Sequence, residues 1–171
     1  MSTVPSRAEV LGHAAHPMLI VVPLGMFVGA EVFDALFYFG GRSNPSWAVV
    51  AYWMTVTGLV GGVVAAVPGW IDWFAIPKGT RAKAVGLVHG VGNGVGVLGL
   101  FGASWWLRKD DYANPPDLAL LLGVLGFALG GVTAWLGGEL VERLGISVDP
   151  GAHPNAPNSL SGQPAAPQHR G

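Results

Sequence analysis

Four long apolar runs, separated by short polar or turn-forming stretches, set the pattern of the chain. They extend over about Pro17–Phe39, Trp47–Val67, Ala84–Leu107 and Leu118–Leu136. Each is close to the roughly 20 residues that a helix needs to cross a bilayer core. Between them lie the turn Gly40–Ser46, the basic stretch Ile76–Lys83 and a loop from Arg108 through the Pro115-Pro116 pair. The pattern predicts an all-α fold: an integral membrane four-helix bundle over residues 13–145. A flexible polar segment is expected at 1–12. The Pro-, Ser- and Asn-rich tail, 146–171, has too little apolar surface to fold alone and is expected to be disordered.

The polar positions inside the runs are few and ordered. In the first run His16, Ile20, Pro23, Phe27, Glu31 and Asp34 recur at steps of three and four, so the polar groups share one face, which should point into protein. Pro23 predicts a kink, tolerable where neighbouring helices re-satisfy the freed carbonyl. In the second run Gly58, Gly61, Ala65, Gly69 and Asp72 share a face, and Pro68-Gly69 is expected to bend or end the helix. The third run carries His89 and Asn93 one turn apart within a glycine-rich stretch, Leu87–Gly96. Gly86, Gly90 and Gly94 there form small-xxx-small steps that let helices approach closely. Trp47, Trp70, Trp73, Trp105 and Trp106 stand at run ends, as interfacial anchors do.

Composition narrows the chemistry. Only 11% of the 171 residues are charged, against about 25% in an ordinary soluble domain. With a net charge of −1 and no basic run, a nucleic-acid partner is not expected. The chain has no cysteine. That removes disulfides, iron–sulfur clusters, c-type haem and cysteine nucleophiles. The first run is too long for the core of a signal peptide and contains Glu31 and Asp34, so it reads as an uncleaved span. Four spans put both termini on one side, with Arg7, Lys78, Arg81, Lys83 and Arg143 there and Arg42, Arg108 and Lys109 opposite. The excess predicts cytoplasmic termini.

That topology brings His13, His16, Asp72, His89, Asn93 and Glu139 into or near one half of the bilayer and leaves Glu31 and Asp34 near the other face. Ionisable groups in spans usually face a bundle interior or a functional cavity. One reading is a b-type haem held by His16 and His89 from different helices, with glycines making room for the ring. Another is a zinc, iron or copper site drawn from His13, His16, His89, Glu139 and Asp72; Pro17 argues against a helical His13–His16 pair. A third is a proton or small-solute path running toward Glu31 and Asp34. Against all three stands plain packing: His16 capping its helix, His89 bonded to Asp72 or Glu139, and glycines that serve only close helix contact. Gly90-Val91-Gly92-Asn93-Gly94 follows no strand, so it is not a nucleotide loop.

Gly12-His13-Ala14-Ala15-His16-Pro17-Met18-Leu19-Ile20, Pro23-Leu24-Gly25, Gly69-Trp70-Ile71-Asp72, Ile76-Pro77-Lys78-Gly79-Thr80-Arg81-Ala82, His89-Gly90 with Asn93, and Gly137-Gly138-Glu139-Leu140-Val141 form an ordered series. The series resembles the bacterial membrane family catalogued as domain of unknown function 2231. The resemblance implies a four-span membrane domain, sometimes associated with redox modules. The leading expectation is a non-enzymatic accessory or structural subunit of a larger membrane assembly, or a homo-oligomer, embedded in the lipid bilayer. The haem-binding electron carrier is its main rival.

Overall fold

A computed structural model describes residues 3–165. Four helices are long and apolar enough to cross a membrane: Ala15–Phe39, Pro45–Ala75, Arg81–Arg108 and Asp117–Arg143. The first divides into α1 (Ala15–Leu19) and α2 (Val21–Phe39). Pro23 has no N–H to give the carbonyl four residues back, at Leu19, and the division falls there. The helix thus includes His16 in its first turn rather than starting after it. The second span, α3 (Pro45–Ala75), passes through Pro68 without ending, so of the bend or end expected there the end does not occur. Asn44 caps it, accepting from Ser46 N–H at 3.1 Å.

The third span begins as α4 (Arg81–Val91), turns into a π-helix over Gly92–Val97 and continues as α5 (Leu98–Arg108). The fourth is α6 (Asp117–Gly138), extended by a second π-helical segment, Glu139–Arg143. π-Segments are rare and concentrate at functional sites. One of these two starts just after His89, and the other starts at Glu139.

The bundle interior is built from small residues and a few rings. Ala30, Ala48, Ala51 and Ala119 are buried. Phe27 and Phe101 stack at 3.9 Å between centroids, and Phe27 lies over Gly58, where a Cβ would come within 2.6 Å of its ring. Large apolar side chains such as Val63, Val67, Leu121, Val124 and Trp135 point outward and are exposed. That inversion suits a lipid surround, which makes an apolar exterior favourable. Lys83 Nζ sits 3.7 Å from the centre of the Trp73 ring and Lys109 Nζ 4.7 Å from that of Trp106, pairing a cation with an aromatic toward either end of the third span.

Segments outside the spans close one end of the bundle. β1 (Glu9–Val10) and β2 (His13–Ala14) form a small hairpin, turned by Leu11 and Gly12 at positive φ. Val4 bridges to Ile146. The N-terminal segment expected to be loose is therefore hydrogen-bonded from Val4 onward. Of the tail expected to be disordered, residues 148–165 hold one short 3-10 turn, Ser159–Ser161. Residues 1, 2 and 166–171, including His169, lie outside the described residues.

Candidate functional site

At the end of the bundle closed by those segments, His16 from α1 and His89 from α4 meet with ring centroids 6.2 Å apart and ring planes at 88°. Each is anchored in the same way by the following span. His16 Nδ1 donates to the carbonyl of Ala65 in α3 at 2.8 Å, and His89 Nδ1 donates to that of Thr133 in α6 at 2.8 Å. One turn beyond each carbonyl a glycine lies under the imidazole. A Cβ at Gly69 would come within 2.9 Å of His16 Nδ1, and one at Gly137 within 3.1 Å of His89 Cε1. The two helical hairpins thus repeat one device: a histidine on the first helix, a carbonyl acceptor on the second, and a glycine that admits the ring.

The anchoring decides the tautomer. A carbonyl only accepts, so Nδ1 carries the proton in both rings, and in the neutral imidazole Nε2 keeps its lone pair. Neither Nε2 takes part in a hydrogen bond among the described residues. Asn93 locks the helix beside His89: its amide donates to the His89 carbonyl at 2.9 Å, while its oxygen accepts from Thr133 Oγ1 at 2.9 Å. Trp70 covers Gly90 next to the pair.

The other residues singled out in the sequence are elsewhere. Asp72, expected as a partner for His89, accepts from Ser6 Oγ at 2.8 and 2.9 Å and from the backbone N–H groups of Arg7 and Ala8 at 2.6 and 3.2 Å. It fastens the N-terminal segment to the end of α3. Glu139 is paired with Arg81 at 2.7 Å. His13 is in β2, its ring 3.4 Å from Ser159 Oγ. His13, His16, His89, Glu139 and Asp72 are therefore not gathered as a metal set. Among the described residues no group of three or more His, Asp or Glu is placed to hold a metal ion. His16 and His89 alone are brought together.

Glu31 and Asp34 are not a purely acidic cluster. Asp34 receives both terminal nitrogens of Arg108, at 3.0 and 2.9 Å, in a buried pair. The sequence reading put Arg108 in a loop; its one hint was a place level with Asp34 at the end of the third span. Nor did the sequence point to Ser6, Thr133 or the acceptor role of Ala65. The last two act through backbone carbonyls, which carry no residue-type signal.

Fold and polar interior together define a four-span helical membrane protein. Residues 12–150 match the family described as Predicted membrane protein (DUF2231), and the chain belongs to that family. No curated protein and no solved structure was found to match it.

Proposed function

We propose that this protein is a membrane electron carrier in which His16 and His89 would hold one b-type haem. The observation that carries the reading is the repeated anchor: both Nδ1–H groups are committed to backbone carbonyls, which leaves two Nε2 lone pairs for one metal. Metal-ligating histidines usually have their other nitrogen fixed in this way. The two rings, one from each helical hairpin, lie 6.2 Å apart between centres. Bound there, a haem would supply one-electron chemistry. The chain's own part is to fix the tautomer through Ala65 and Thr133, to hold the rings apart on separate helices, and to exclude side chains with Gly69 and Gly137. Haem and metal analysis of protein purified from membranes tests this. About one haem per chain is expected, and a colourless, metal-free preparation contradicts it.

A second reading, compatible with the first, is that the chain is a non-enzymatic subunit of a larger membrane assembly or a homo-oligomer. It is favoured by Gly94, Gly99, Gly102, Gly130 and Gly131, which have open space where a Cβ would stand and so let a further helix approach. Co-purification of a stoichiometric partner or a second copy supports it; a monodisperse monomer in mild detergent counts against it.

We also place the termini in the cytoplasm of a bacterial inner membrane. Arg108 is buried with Asp34 and does not count as a loop charge, so Arg7, Lys78, Arg81, Lys83 and Arg143, near the span ends on the terminal side, face only Arg42 and Lys109 on the other.

A further inference from the structure

At the other end of the first and third spans lies a set of ionisable groups that the histidine pair does not use. The Arg108 side chain has no exposed surface. Its Nη1 and Nη2 are taken by Asp34, and Nη2 also donates to Ser104 Oγ at 3.0 Å. Ser104 Oγ in turn donates to the Ala119 carbonyl at 2.7 Å. One positive and one negative charge are thereby matched. Glu31, one turn before Asp34, is left over. Its Oε1 is buried and has no hydrogen-bond donor, while Arg108 Nε is a buried donor with no acceptor.

Among the described residues the surrounding elements offer Glu31 no second cation. The fourth span presents Gly123, against which Glu31 Oε1 packs so closely that a Cβ there would overlap it. Of the titratable groups in the second span, Tyr52 accepts from Trp105 Nε1 at 3.0 Å, and Asp72 is at the far end. In the flanking loops Arg42 pairs with Asp117, and Lys109 with Asp110. A carboxylate without a counter-ion in an apolar setting is so costly that it takes up a proton instead. The protonated acid can both donate and accept a hydrogen bond.

We propose that Glu31 is a proton-binding site in the half of the membrane opposite the histidine pair. Asp34 and Arg108 neutralise each other and leave Glu31 to take its charge balance from a proton. Phe39, where the helix ends, is about 12 Å further along the axis, so the proton exchanges with water on that side. This site stands independently of the haem reading.

Infrared spectroscopy of the full chain in lipid nanodiscs tests it. At neutral pH the wild type should show the carbonyl stretch of a protonated carboxyl, shifting on transfer to heavy water and fading as the pH is raised. Glu31→Gln, an isostere that cannot ionise, should lose the band, with the helical amide band in the same spectra reporting that the fold is kept. Glu31→Asp should retain a shifted band, and it serves if the amide variant misfolds. A folded wild type without the band, or a band that survives Glu31→Gln, overturns the proposal.

Discussion

A guanidinium with no exposed surface ties the first span to the third. Arg108 and Asp34 meet through two parallel hydrogen bonds, a geometry that gains energy and direction from the planar fork. Removing one partner leaves the other buried without its counter-charge, at a cost of about 3–5 kcal/mol. Arg108→Ala should lower stability by that order in detergent unfolding titrations. Asp34→Leu combined with Arg108→Met, which removes both charges, should recover most of the loss. A single variant as stable as wild type would show that the pair is not buried as described. The face carrying His16 and Asp34 was readable because helical spacing alone places it. Arg108 was not, because an arginine before Lys109, Asp110 and Asp111 has the composition of a loop, and only its depth beside Asp34 reveals the pair. For the histidines, residue type and depth were readable, whereas their carbonyl acceptors were not.

At the scale of elements, small residues decide how closely the helices approach. Gly58 lies under Phe27, whereas Gly131 faces open space. Gly58→Ala should cost about 1–3 kcal/mol through overpacking. Gly131→Ala should be neutral or stabilising by up to about 1 kcal/mol, since alanine is the better helix former. Unfolding midpoints of the two variants side by side check the contrast, and equal effects would contradict this packing. The N-terminal segment depends on one side chain. Asp72 accepts from Ser6, Arg7 and Ala8, and hydrogen bonds to a charged group are worth about 1.5–3 kcal/mol each. Asp72→Ala should raise amide exchange at Arg7 and Ala8 at least tenfold while leaving the spans protected; unchanged exchange there would count against the anchor. Nothing in the apolar pattern marks this segment, because it is held by hydrogen bonds to a distant helix. The four helices were legible because length and hydropathy suffice for them. The helix does not end at Pro68, because a proline deep in a membrane helix need not end it.

For the whole molecule, the apolar exterior, the aromatic–cation pairs at Trp73 and Trp106 and the thin small-residue core describe one bundle with a polar cluster toward each end. The proposed orientation makes a direct prediction, helped by the absence of native cysteine. In intact cells, Lys109→Cys should react with a membrane-impermeant maleimide, and Lys78→Cys only after permeabilisation; the reverse order would invert the topology. The central claim is that His16 and His89 jointly hold one metal centre. It is tested most directly by the reduced-minus-oxidised optical spectrum of the purified protein, recorded beside those of His16→Ala and His89→Ala. Low-spin haem bands are expected in the wild type, lost or altered in each variant. A wild type without such bands, or a spectrum indifferent to both substitutions, would contradict it.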